Sequence, residues 1–136
     1  MSQTIFFHNQ QQELMPVGAK FDHTSNISTY VDLSISSIII QDLLDYYTDS
    51  NIIGDLYPKL VVGGTLEIQS IDLKQMGIAV AFGDLRLEMA RFLLYPHKKN
   101  IYTMKAMIDI ITPYGFEVEV KKYVNAFEYY ILFKKL

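Results

Sequence analysis

The chain of 136 residues predicts an α/β domain, a mixed sheet with helices packed on it and an antiparallel hairpin at its end. Three observations predict it. Residues 116–133 alternate apolar and polar in two runs parted by Asn125-Ala126, the pattern of a hairpin. Three stretches between residues 50 and 112 carry apolar residues at helical spacing behind a residue able to cap a helix. The Gly63-Gly64 pair parts the first of these from a strand-like run, Thr65 to Ile71.

The elements follow in order. Thr4 to His8 is a short β-type run and Gln10 to Gln12 is polar. Met15-Pro16-Val17-Gly18 signals a turn, and residues 9–27 read as an arm without period. Two units are expected: residues 1–27 as an amino-terminal strand and arm, and residues 28–136 as the α/β domain. Ser28 to Ser36 reads as a strand that Ile38-Ile39-Ile40 extends or leaves for a helix. Gln41 to Tyr47 is a turn or short helix.

Asp49 or Ser50 caps a helix with Ile52, Ile53, Leu56, Tyr57 and Leu60 on one face, and Pro58 strains its last turn. Asp72 caps a helix to about Phe82, which Gly83 ends. Asp84 is expected to cap the next, burying Leu85, Met89, Phe92 and Leu93. Thr103 caps a further helix with Met104, Met107, Ile108 and Ile111 inward, stopped at Thr112-Pro113-Tyr114-Gly115. Phe116, Val118 and Val120 then point to the core, and Phe127 to Phe133 returns beside them.

Composition removes several function classes. Half the residues are hydrophobic and 20% are charged, which suits a packed core rather than disorder. No cysteine is present, so disulfides, thiolate metal sites and a cysteine nucleophile are excluded. The net charge is −3, and lysines occur only in short groups such as Lys98-Lys99 and Lys121-Lys122. A nucleic-acid partner needs a broader basic footprint and is not expected. No apolar run reaches the roughly 20 residues of a membrane span, so no membrane partner is expected. Met1-Ser2-Gln3-Thr4 lacks the start of a signal peptide. His8, His23 and His97 stand apart, and only Asp22-His23 forms a tight acid–histidine pair. A metal site needs three or four converging ligands, and no local spacing supplies them. No catalytic residue is assigned.

The run Leu60-Val61-Val62-Gly63-Gly64-Thr65-Leu66-Glu67-Ile68 resembles a segment of class I, S-adenosylmethionine-dependent methyltransferases, with Val62 where that family usually has proline. Tyr114-Gly115-Phe116-Glu117-Val118 and the closing hairpin resemble the family's carboxy-terminal part. Gln41-Asp42-Leu43-Leu44-Asp45-Tyr46 resembles the segment after its fourth strand. The resemblance covers residues 28–136 and implies the carboxy-terminal half of a Rossmann-like sheet. Its four strands, near residues 30–36, 65–71, 127–134 and 116–124, would lie in that spatial order, with the third reversed. Thr4 to His8 is a candidate fifth. The family's glycine-rich cofactor loop and the carboxylate after its second strand have no counterpart here, because some thirty residues are too few for two βα units.

That departure leads to the expectation of a non-catalytic interaction or assembly module without cofactor, of phage virion or accessory type, in the cytoplasm or on a virion. Its protein partner or second copy would meet Ile5, Phe6, Phe7, Tyr30 and Glu67. Glu67 points away from Leu66 and Ile68 in the alternation, and a charged group within a covered strand is costly unless paired. Tyr46, Tyr47, Tyr57, Tyr129 and Tyr130 suit either a contact surface or the core. The alternative is an S-adenosylmethionine-dependent methyltransferase with a reduced or partner-completed site, in which Asp42, Asp45, Gly63 and Gly64 would line the cleft.

Overall fold

The computed structural model describes residues 3–8, 20–22, 27, 29–41, 51–94 and 102–136. Six strands form one sheet: β1 (Thr4–His8), β2 (Lys20–Asp22), β3 (Ile35–Gln41), β4 (Leu60–Ile71), β5 (Phe116–Tyr123) and β6 (Glu128–Lys135), in the order β2-β1-β3-β4-β6-β5. The β1/β2, β1/β3 and β3/β4 pairs are parallel. The β4/β6 and β5/β6 pairs are antiparallel. The four expected strands thus lie in the expected order, with β6 reversed against β4. The expected boundary at residue 27 falls between β2 and β3 of this single sheet.

Two corrections concern the amino-terminal third. The first expected strand sits at Ile35–Gln41, not residues 30–36. Leu33 has φ of 57°, a left-handed conformation that breaks a strand before Ser34, whereas the β-branched Ile38-Ile39-Ile40 favours extension. The arm, moreover, contains β2, and β1 lies between β2 and β3. Thirty residues do hold two parallel strands. The order β2-β1-β3-β4 reproduces the 2-1-4-5 part of a doubly wound sheet.

Helices α1 (Asn51–Leu56), α2 (Leu73–Ala81), α3 (Leu87–Leu94) and α4 (Met104–Ile111) follow. A 3-10 turn at Tyr57–Lys59, with Pro58 inside it, ends α1, so Leu60 opens β4 instead of closing the helix. Asp72 Oδ1 accepts from Gln75 N at 3.1 Å and caps α2. Thr103 Oγ1 accepts from Ala106 N at 3.1 Å and caps α4. Asp84 does not cap α3, which begins three residues later. That shift leaves Met89 exposed and buries Ala90 in its place.

A smaller cluster joins Ile71 of β4 to Met76 of α2 and Ala90 of α3, and the larger core lies on one face of the sheet. Ile38 and Ile40 of β3, Leu66 and Ile68 of β4, and Tyr129, Ile131 and Phe133 of β6 stand there in register. Ile53 and Leu56 of α1 and Met107 and Ile111 of α4 cover them. A bulge interrupts β5: Val118 pairs with Phe133 and Val120 with Leu132, leaving Glu119 extra. Val120 therefore turns to the opposite face and is exposed, contrary to the simple alternation. Asn125 Oδ1 accepts from Phe127 N and Glu128 N and fixes the hairpin turn. No described helix is long and apolar enough to cross a membrane.

Candidate functional site

Parallel strands aim their carboxyl ends at one edge of the sheet. The chain leaves β1 for β2 on one side, then returns to β3 on the other. The resulting switch point lies between β1 and β3, and doubly wound sheets bind ligands outside the carboxyl ends of the strands at such a point. Three polar positions end the strands on this edge. His8 ends β1 in register with Gln41, which ends β3. Asp22 ends β2 in register with Phe7. Beside them, Asp72 follows the last residue of β4.

Asp72 is buried, with 2% of its surface exposed. A lone carboxylate there would be costly, but three donors serve it. Besides the Gln75 amide, Met104 N donates to Oδ2 at 2.9 Å and the Tyr123 hydroxyl donates to Oδ2 at 2.8 Å. One side chain thus ties the end of β4 to the starts of α2 and α4 and to the end of β5. Burial, and then the Asp72 carboxylate, push the Tyr123 phenol above its ordinary pKa. Asp72 is fully engaged and acts as a brace for this edge.

Glu67 lies on the face opposite Leu66 and Ile68, as the alternation requires. Tyr130 donates its hydroxyl to Glu67 Oε1. Lys122 Nζ stands 5.3 Å from the centre of the Tyr130 ring. Burial, and then the Glu67 carboxylate, raise the Tyr130 pKa. Thr65 donates to Ser37 across the neighbouring strands on that same face at 3.0 Å. The Glu67 carboxylate therefore has a hydrogen-bond donor within the chain.

The remaining expected positions are dispersed. Asp42 and Asp45 lie outside the described residues, as do His23, His97, Tyr46 and Tyr47. Gly63 and Gly64 lie at the amino-terminal end of β4, the far end of the sheet from the switch point. Ile35 pairs with Leu60 and Ser37 with Thr65, so residues 61–64 bulge out opposite Ser36. Gly63 has φ of 77°, and a Cβ on Gly64 would stand 2.7 Å from Val61 O. These glycines shape the bulge and lie away from the switch point. Ile5 is wholly buried in the core, and Tyr30 packs against it half-buried. Phe6 and Phe7 pair in register with Ile39 and Ile40 of the same chain.

Asp22 is the position that the sequence pattern underweighted. Its signal was Gly18-Ala19-Lys20-Phe21-Asp22, a three-residue strand behind a glycine and ending on an acid. Among the described residues, no three histidine or carboxylate side chains converge as a metal site would need.

No protein-family model matches the sequence, and no curated protein matches it. The fold is similar to solved structures. An S-adenosylmethionine-dependent methyltransferase from Methanosarcina mazei is 18% identical, with a TM-score of 0.63 over 99% of this chain and 82% of its own. A protein of Listeria monocytogenes assigned to the same methyltransferases is 11% identical, with a TM-score of 0.66 over 98% of this chain and 80% of its own. Magnesium protoporphyrin IX methyltransferase from Synechocystis, solved with bound S-adenosylhomocysteine, is 13% identical, with a TM-score of 0.58 over 88% of this chain. The chain spans 52% of the Synechocystis enzyme, and 44% and 65% of two other similar structures. The fold is that of a shortened class I methyltransferase sheet.

Proposed function

We propose that the crevice at the carboxyl ends of β1, β2 and β3 binds S-adenosylmethionine, and that the chain is a methyltransferase with a reduced cofactor site. The observation that carries this reading is the switch point between β1 and β3, with an acid ending the next strand, β2. A ribose diol asks for a carboxylate at such a place. Asp22 would accept from it, and His8 and Gln41 would flank the mouth of the crevice. Asp72, already braced by three donors, holds the adjoining edge in shape. When bound, the cofactor supplies an electrophilic methyl group on its sulfonium. Asp42 and Asp45 follow β3 in sequence and remain candidates for the same crevice.

One observation favours a second reading, a non-catalytic interaction module. Eleven residues, 9–19, join β1 to β2, and Gly18 is their only glycine. Close approach of backbone to an adenosyl group usually draws on several glycines at tight spacing.

Titration calorimetry with S-adenosylmethionine and S-adenosylhomocysteine decides between them. The first reading expects saturable binding that Asp22→Ala weakens at least about tenfold, the loss of one charged hydrogen-bond partner. Absence of heat and of any thermal shift at saturating cofactor would favour the interaction module.

A further inference from the structure

We infer that the exposed face of α2 is an interface with a second copy of this chain, formed by two α2 helices packing antiparallel about a two-fold axis near Ile78. Helix α2 is apolar nearly all round, LKQMGIAVA. Its inner side buries Met76 and Ala79. Its outer side presents Leu73, Gly77, Ile78 and Ala81 with the single charge of Lys74 among them, and Phe82 follows at the cap. Phe82 is 79% exposed, Leu73 46% and Ile78 41%. An outer side on which apolar residues outnumber one charge is normally covered in part. Leu87 and Met89, both on α3, are exposed as well.

Three features select a second copy as the occupant. The first is area. The five large side chains expose roughly 500 Å² per copy, and a two-fold contact with its rim buries about 1,200 Å², the lower end for specific pairs. The second is charge. An antiparallel two-fold arrangement brings Lys74, at the start of one α2, near Asp84, just past the end of the other. An isologous contact makes that pair twice. This alternation of sign does not suit an anionic membrane surface, and neither does the net charge of −3. The third is close approach. Gly77 and Ala81 lie one turn apart on the outer side, and a Cβ on Gly77 would meet nothing within 4 Å. Small residues at that spacing let two helix axes come close.

At the β5 edge of the sheet the exposed apolar side chains Val120, Tyr123 and Val124 are interrupted by charges. There Glu117, Glu119 and Lys121 are exposed on a bulged strand, a pattern that blunts strand addition.

Light scattering on the purified full chain tests the inference. The expected mass is twice the 15.7 kDa of one chain, falling to one chain mass in Ile78→Asp with unchanged far-ultraviolet circular dichroism. Lys74→Asp is expected to weaken the dimer at least about tenfold, and Lys74→Asp with Asp84→Lys to recover most of that loss. The chain has no cysteine, so Ile78→Cys supplies a unique thiol near the axis. Under oxidation it should give a covalent dimer, while Val62→Cys, exposed on β4, should not. A monomer at hundred-micromolar concentration overturns the proposal. So does a dimer indifferent to Ile78→Asp and to the charge swap. Binding of the monomer to phosphatidylglycerol vesicles through Phe82 would overturn it in favour of a lipid surface.

Discussion

Tyr123 donates its hydroxyl to Asp72 Oδ2 at 2.8 Å, joining residues 51 positions apart at the carboxyl edge of the sheet. That carboxylate also accepts the amides of Gln75 and Met104. Asp72→Ala removes three acceptor contacts at once and leaves two helix amides seeking water in a place with little access. Hydrogen bonds to charged groups contribute about 1.5–3 kcal/mol singly, and a shared acceptor is not additive. The expected loss is about 3 kcal/mol in urea unfolding. Tyr123→Phe, which removes only the half-exposed phenol, is expected to cost about 1 kcal/mol.

The two hydrogen-bonded phenols make stability depend on alkaline pH. Tyr123 and Tyr130 have pKa values raised above 10.0, by burial first and by Asp72 and Glu67 second. A raised phenol pKa means that the folded chain holds the proton more tightly than the unfolded one. The stabilisation is complete below pH 10.0 and is lost as pH rises through the folded values. Near-ultraviolet titration should show the Tyr123 and Tyr130 phenols ionising later than a free tyrosine. Tyr130→Phe should remove one late-ionising phenol and leave that of Tyr123. Ionisation of both at the ordinary phenol value in the folded chain would contradict both pairings.

Lys135 responds in the opposite sense. It is 6% exposed and donates to Tyr57 O and Leu60 O, each at 2.8 Å, with the Tyr57 ring centre 4.2 Å away. Burial lowers its pKa, so the folded chain holds this proton less tightly and stability rises as pH climbs through the lowered value. Lys135→Met keeps the stem but orphans two carbonyls, for an expected cost of about 1–3 kcal/mol at neutral pH. In that variant the alkaline loss from the phenols should stand alone.

Two glycines mark where a side chain does not fit. A Cβ on Gly64 would stand 2.7 Å from Val61 O and 3.1 Å from Ser36 O. On Gly115, whose φ is 112°, it would stand 2.6 Å from the Tyr57 hydroxyl. Alanine at either position is expected to cost about 2 kcal/mol through overpacking, read as a lowered urea midpoint. The Gly64 variant also bears on the bulge: its loss should appear without change in the S-adenosylmethionine binding proposed above, because that turn lies at the far end of the sheet from the switch point.

The carboxy-terminal half was legible because its signals are local. Asp72 and Thr103 cap where a short polar side chain precedes an apolar helix, and Gly115 takes the positive φ that ends one. The hairpin is written in alternation and in Asn125. The amino-terminal strands were harder. Lys20–Asp22 is too short for any period, and its place is set by pairing with Ile5, Phe6 and Phe7. The carboxyl edge suffers the same way: His8, Asp22 and Gln41 are distant in sequence, and only strand order sets the ends of β1, β2 and β3 side by side. Gly63 gave a true local signal, positive φ, whose position in the sheet only the register with Ile35 and Ser37 reveals.

The bulge in β5 yields a sharp contrast within one strand. Alternation alone makes Val118 and Val120 equivalent. The register separates them, because Glu119 is inserted between the pairs Val118↔Phe133 and Val120↔Leu132. Val118 packs against the core beside Phe133, whereas Val120 is 41% exposed on the other face. Val118→Asp places a carboxylate against apolar side chains and is expected to cost about 2–4 kcal/mol. Val120→Asp meets water, and its expected change stays within about 0.5 kcal/mol. Urea unfolding of the two variants measures the difference. Equal and large losses would mean that the strand runs without the bulge, with both valines inward, and would return the edge to plain alternation.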